Sequence, residues 1–178
     1  MKLCRWFTCI LLLAAVSFAA AAQESDNSAY LSSFRADFDG SSSKLAQLAE
    51  AIPEELYSWR PAEGVRSVSE VFMHVTQANL ALAGFLGLDS EVDMPENPEK
   101  SVTAKEAIMK HLAESQEHVR ATLDTLSEAD LGGMVNAFGQ EMSRYQVLMI
   151  LGGHSHEHLG QMIAYVRSNN IAPPWSGG

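Results

Sequence analysis

Three histidines lie within five positions in the segment GGHSHEHLGQ, residues 152–161. Neutral imidazoles are ligands for divalent ions such as Zn²⁺ and Ni²⁺, so this segment is a candidate metal site. At about 100° per residue on a helix, His154 and His158 share one face, and His156 lies on the opposite side. A pair spaced by four residues brings two imidazoles close enough to share one ion. The same pair could instead be buried histidines held by hydrogen bonds, and a third ligand from elsewhere decides between the two interpretations.

His74 is the candidate for that third ligand. It lies on a helical face that is otherwise apolar, and a lone histidine in that position is usually a hydrogen-bonded core residue. Two inward-facing polar groups in one domain need partners, however, and a shared ion satisfies both of them. The small residues Ala78 and Ala81 beside His74, and Gly152–Gly153 beside His154, predict that the two helices approach closely.

Four further residues are candidates for supporting roles at this site. Glu70 could be a fourth ligand, a general base or a hydrogen-bond acceptor for a ligand, although closing a capping box on Ser67 is its more ordinary role. Gln161 and Tyr165 share the face of the histidine pair and could orient ligands or line a pocket. Trp59, in the preceding loop, could cover the site or plug the end of the helices.

Helical periodicity predicts that these residues are carried by four amphipathic helices of an all-α domain. The predicted helices cover about 28–51, 67–87, 103–126 and 143–169. Capping boxes are predicted at Ser67 with Glu70 and at Thr103 with Glu106, and Ser143 is the predicted cap of the last helix. The connection over 127–142 contains glycines and could include a short extended piece.

The connections between the predicted helices are long. Antiparallel neighbours in a bundle usually need about 2–8 residues, and these connections are about twice that or more. Long connections allow a crossover between parallel neighbours. We therefore expect a four-helix bundle with long connecting loops, in an order other than up-down-up-down.

Residues 1–22 have the layout of a secretory signal peptide. Lys2 and Arg5 precede an apolar run and a series of alanines, which predicts cleavage before Gln23. The run is shorter than the roughly 20 residues of a membrane span, so no stable membrane anchoring is expected after cleavage. The remaining chain, 23–178, is expected to form a single domain that is exported to the periplasm or the medium.

Composition limits the partners and the metal chemistry. Both cysteines lie in the predicted signal peptide, so an ion in the mature chain must be held by nitrogen and oxygen. The formal net charge of the whole chain is −10, and it becomes more negative when the basic signal peptide is removed. Nucleic acid and anionic membranes reward basic patches, so neither is an expected partner.

Taken together, these segments resemble the DinB-like family of metal-binding four-helix bundles. The resemblance is carried by YSWRPAEG, by SVSEVFMHV and by GGHSHEHLGQMIAYVRSNNIAPP. It implies an up-down-down-up bundle and a divalent ion held by His74, His154 and His158. Three neutral imidazoles with an open fourth position suit Zn²⁺ or Ni²⁺ best.

The resemblance also implies a function. It points to metal-assisted hydrolysis or a thiol-dependent, transferase-like reaction on a small molecule, and to a homodimer formed through MVNAFG or the outer face of the last helix. The alternative is a non-catalytic, metal-binding or stress-related protein in which the ion is structural. Coordination number separates the two, because a structural site is closed and a catalytic site keeps an open position.

Overall fold

The computed structural model describes residues 29–177, and the predicted signal peptide with its cleavage site lies outside them. The described part is mainly helical, which confirms the all-α class. The helices are α1 (residues 29–51), α2 (Val68–Leu86), the short α3 (Pro98–Ser101), α4 (Lys105–Thr125) and α5 (Arg144–Ser168). The extended piece expected in the last connection is a hairpin of β1 (Met134–Ala137) and β2 (Gln140–Ser143), which pair antiparallel. Within residues 29–177, no helix has both the length and the apolar character needed to cross a membrane.

The helices that carry the histidines begin at the predicted caps. Ser67 precedes α2, its side chain accepts from the backbone N–H of Glu70, and the Glu70 carboxylate accepts from the Ser67 N–H. Ser143 and Gln146 form the same reciprocal pair at the start of α5. Each box satisfies backbone donors that a helix leaves unpaired at its start, so local sequence is sufficient to set these two boundaries.

The capping box predicted for the third long helix is wrong. The N-cap of α4 is Ala104, one residue after Thr103, and it makes no side-chain capping bond. The start of α4 is held instead by Lys105, whose Nζ donates to the carbonyl oxygens of Glu50 and Ile52 at 2.7 Å each. These carbonyls lie at the C-terminal end of α1, where a cation is favourable, so a tertiary contact decides this boundary.

Contacts between the long helices set their relative directions. α1 runs antiparallel to α4 and parallel to α5, and α2 runs antiparallel to α5. For α1 and α4, the direction follows from the contacts of Arg35 with Asp124 and of Ser42 with Gln116. For α1 and α5, it follows from the contacts of Tyr30 with Tyr145 and of Ser41 with Ser155. For α2 and α5, it follows from the contacts of Arg66 with Tyr165 and of Leu86 with Arg144. Along the chain, the long helices therefore run up, down, down and up, which the long connections allow.

A layer of buried polar side chains divides the core at the level of the histidines. Asn79 donates to Ser115 at 3.1 Å, and Ser155 donates to Ser41 at 3.0 Å, so each long helix contributes one hydroxyl or amide. The hydrophobic clusters on either side are centred on Phe38, Leu82 and Val147 and on Leu48, Phe72 and Met162. Buried polar groups must be paired, so this layer fixes the axial level of α5 and with it the level of His154.

Helices α2 and α5 do meet at His74 and His154, but the two glycines expected to bring them together do not face α2. A Cβ added at Gly152 would lie 3.2 Å from Cε2 of Phe34, so this glycine accommodates α1. Gly153 faces open space, and Ala81 is exposed.

Candidate metal centre

The structure brings His74 of α2 together with His154 and His158 of α5. One nitrogen from each ring lies within 4.8 Å of the others, and the ring centroids of His154 and His158 are 4.4 Å apart. The Nε2 atoms of His74 and His154 face each other at 3.1 Å. Two imidazole nitrogens that share a tetrahedral ion with bonds of 2.0–2.1 Å lie about 3.3 Å apart, so this spacing, which also allows a hydrogen bond between the two rings, is compatible with two ligands of one ion.

Burial keeps two of the three imidazoles in the form that binds metal. Burial, together with the neighbouring His158 and His74, lowers the pKa of His154 to about 4. Burial also lowers the pKa of His158, although its hydrogen bond to Gln161 acts in the opposite direction. Both rings are therefore neutral near pH 7 and keep a lone pair for a metal. The His74 side chain is 27% exposed, so the group is reachable from solvent.

Glu99 orients His74, and sequence analysis missed it. The Nδ1–H of His74 donates to Oε1 of Glu99 at 2.9 Å, which places the proton on Nδ1 and leaves the Nε2 lone pair free. Arg66 donates to both oxygens of this carboxylate, at 2.8 and 3.3 Å. Burial alone raises the pKa of Glu99, but the hydrogen bonds from Arg66 and His74 outweigh it and lower that pKa, so the group stays an acceptor.

Gln161 and Tyr165 orient His158 in the same way. The Nδ1–H of His158 donates to Oε1 of Gln161 at 2.7 Å, and the Gln161 amide donates to Oη of Tyr165 at 2.9 Å. The Tyr165 hydroxyl donates to the carbonyl oxygen of Arg66 at 2.9 Å. Because Arg66 also donates to Glu99, the partner of His74, one chain of hydrogen bonds connects His158 to His74 through Arg66. Metal-binding histidines are usually held in orientation by a hydrogen bond of this kind from the ring nitrogen that does not bind the metal.

Trp59 lies behind this chain. Its ring packs edge-on against Tyr165, with centroids 5.3 Å apart, and is partly buried against the core. It therefore supports the tyrosine. His156, as expected from helical geometry, is exposed and lies on the other side, where its Nε2 is 2.8 Å from Asp37.

The structure does not bring Glu70 to the three histidines. Its buried carboxylate closes the capping box and accepts hydrogen bonds from Arg60 at 3.0 Å and Lys100 at 2.6 Å. Burial alone raises the pKa of Glu70, but the bonds from Lys100, Ser67 and Arg60 outweigh it and lower the pKa to about 2. Glu70 therefore anchors the start of α2 and the α3 region, which carries Glu99.

The donor set fits a divalent transition-metal ion. Two rings have their Nδ1 proton bound by an acceptor, as ligand histidines usually do. The third, His154, has a buried Nδ1 with no hydrogen-bond partner among the residues that the structure describes. Its Nε2 contacts Nε2 of His74, and an ion coordinated by both atoms would hold the His154 ring in place of that direct contact.

We expect Glu99→Gln to weaken metal affinity by about 10- to 100-fold while leaving the stoichiometry unchanged, because His74 would lose a charged acceptor that orients it. The affinity can be measured by competition with a chromophoric zinc chelator. Glu96→Gln, an exposed change in the same connection, is the matched control and should bind as the parent does. Equal affinities for the two variants would show that Glu99 does not support the ligand.

Comparisons with known proteins agree on one family and one fold. The family model of the DinB superfamily matches residues 37–162 of this chain. YjoA of Bacillus subtilis (strain 168), described as an uncharacterized protein, is 26% identical over 124 residues, which cover 68% of this chain and 79% of YjoA.

Solved structures are similar as well. A DinB-like protein from Bacillus cereus ATCC 10987 superposes with a TM-score of 0.70 at 20% identity, over 81% of this chain and 95% of that one. The crystal structure of YjoA, also described as DinB-like, gives a TM-score of 0.63 at 22% identity, over 79% of this chain and 93% of YjoA. A conserved protein from Enterococcus faecalis gives a TM-score of 0.61 at 16% identity, over 75% of this chain and 93% of that one. At these identities, the structural likeness shows a shared fold.

Proposed function

The chain belongs to the DinB superfamily, and from this premise we propose that it binds one divalent ion, zinc or nickel, and uses it in hydrolysis or group transfer on a small molecule. The proposed ligands are His74, His154 and His158. The observation that carries the proposal is the placement of three imidazole nitrogens within 4.8 Å, on two different helices. An ion held by three imidazoles supplies Lewis-acid chemistry near neutral pH at its remaining position.

The chain's own residues prepare the ligands. Glu99 and Gln161 hold the Nδ1 protons of His74 and His158, so both rings present Nε2. Arg66 joins the two supports, through its guanidinium to Glu99 and through its carbonyl to Tyr165. Because these contacts exist within the protein itself, the rings need little rearrangement to receive an ion.

A non-catalytic, structural ion is the second candidate, and one observation favours it. The carboxylates nearest to the histidines along α2 and α3 already accept hydrogen bonds from other side chains. Glu99 accepts from Arg66 and His74. Glu70 accepts from Arg60 and Lys100. Both have lowered pKa values, so neither is suited to accept a proton as a general base near pH 7.

Cobalt substitution distinguishes the two candidates. We expect the visible absorption of the Co²⁺-loaded protein to change when acetohydroxamate or a small thiol is added, because a three-histidine site keeps a position for an external ligand. A spectrum that stays the same at saturating concentrations would show a closed coordination sphere, and the catalytic proposal would be replaced by the structural one.

A further inference from the structure

Beside the three histidines, α2 and α5 present a long uncharged surface. No Asp, Glu, Lys or Arg occurs between Glu70 and Asp89, and none occurs between Arg144 and Glu157. These stretches lie on antiparallel helices that meet at the histidines and again at Arg144, which donates to the carbonyl oxygen of Leu86. They therefore flank the same side of the candidate site over several turns.

Apolar residues continue the histidine faces along both helices. On α2, Ala78, Ala81 and Phe85 follow His74 at spacings of four, three and four, which keeps them on its face. On α5, Ile150 precedes His154 by one turn on the same face and is 38% exposed. Ala81 is exposed as well, and Ala78 and Phe85 are half-buried.

Phe138 extends these residues at the end away from the histidines. Phe138 is 61% exposed, and its ring packs edge-on against Phe85, with centroids 4.9 Å apart. We call Ala78, Ala81, Phe85, Ile150 and Phe138 the apolar strip. Phe85 lies eleven residues after His74, so the strip extends about 16 Å along α2.

The backbone at Phe138 is unusual for a bulky residue. Phe138 and Gly139 form the two-residue turn of the hairpin, with φ of 54° and 77°. Asn, Asp and Gly are the residues that such turns favour, and an aromatic side chain at positive φ is uncommon. The hairpin thus holds an exposed ring at the end of the strip in a conformation that local preference disfavours, which is a feature of functional positions.

The opposite side of the histidines is closed by polar contacts. Arg66, Glu99, Gln161 and Tyr165 occupy that side and are bonded to one another and to the ligand rings. A molecule bound at the histidines can therefore extend toward the strip without breaking a hydrogen bond.

We propose that the ligand of this site has a metal-binding head group and an uncharged, apolar tail that lies along the apolar strip toward Phe138. The inference rests on the proposed metal site and adds the chemical class of its substrate. An apolar tail gains free energy when it covers exposed apolar side chains, whereas a charged tail would lose hydration without meeting a partner on these stretches.

Linear alkyl hydroxamates test this proposal, because one head group can be combined with tails of increasing length. The zinc-loaded protein is titrated calorimetrically with the two-, eight- and fourteen-carbon compounds, the longest of which is about as long as the strip. We expect Kd to fall with chain length, by up to about fourfold for each methylene that becomes fully buried. Phe138→Asn and Ile150→Ser should flatten this dependence and leave Kd of the two-carbon compound within about twofold. Asn is favoured at positive φ, so the first variant is expected to fold.

Met149→Ser is the matched control, since Met149 is 68% exposed on the same helix but lies away from the face of His154. It should keep the chain-length dependence of the parent. Metal-loaded parent that binds all three compounds equally would overturn this inference and leave the proposed function standing. A parent that cannot be loaded with metal would overturn both. If Kd of the parent does not depend on chain length and light scattering shows a dimer, the apolar strip would be assigned to contact with a second copy of the chain.

Discussion

His154→Ala/His158→Ala is expected to abolish metal binding by the protein purified without a histidine tag. The parent should retain about one zinc or nickel ion per chain after dialysis, because three imidazoles from two helices form a chelate. The double variant should retain none, because His74 alone offers a single nitrogen. Elemental analysis of both proteins by mass spectrometry measures the difference directly.

His156→Ala is the matched control for this experiment. It removes an imidazole from the same segment, but one that is exposed and contacts Asp37. Its metal content should equal that of the parent, and circular dichroism should show that all three proteins are helical. A parent that cannot be loaded, or a double variant with the metal content of the parent, would contradict the assignment of the ligands.

Glu70→Ala is expected to lower the free energy of unfolding by about 1–3 kcal/mol and to leave the metal content unchanged. The substitution removes half of a capping box and the buried acceptor of Arg60 and Lys100, and because both cations are partly exposed, water can replace part of the lost hydrogen bonding. Urea unfolding gives the first quantity and elemental analysis the second. A folded variant that has lost its metal would instead make Glu70 a ligand.

The stabilisation of the folded protein by Glu70 should decrease as the pH falls. The pKa of Glu70 is lowered from 4.5 to about 2 in the folded protein, so the unfolded chain takes up the proton first as the pH falls. The stabilisation is present above the ordinary pKa and is lost as the pH falls toward the folded value. Parent and Glu70→Ala should therefore converge in stability between about pH 4.5 and 2.

Gln146→Ala is the matched control for Glu70→Ala. Gln146 closes the equivalent capping box at the start of α5, but it is uncharged and exposed. It should cost about 1 kcal/mol, the ordinary value for a cap. The difference in the free energy of unfolding between Gln146→Ala and the parent should stay constant between about pH 4.5 and 2, because an amide does not titrate there.

Local interactions explain why much of this protein could be predicted from its sequence. Capping boxes at Ser67 and Ser143 set the starts of α2 and α5, and the spacing of four between His154 and His158 sets their common face. Both features depend on residues within one helical turn, so no tertiary contact is needed to deduce them. His74 could be selected as their partner because a polar residue on an apolar face needs one.

Only the tertiary structure decided which residues support the histidines. Glu99 lies 25 positions after His74, in a connection with no periodicity, and Arg66 joins it to Tyr165, 99 positions away. The start of α4 was likewise decided by Lys105, and the ion pair that Glu70 makes in addition to its capping box was decided by Lys100, because both lysines reach across elements. Hydrogen bonds and ion pairs between distant residues depend on where the loops cross the bundle, and no local spacing encodes that path.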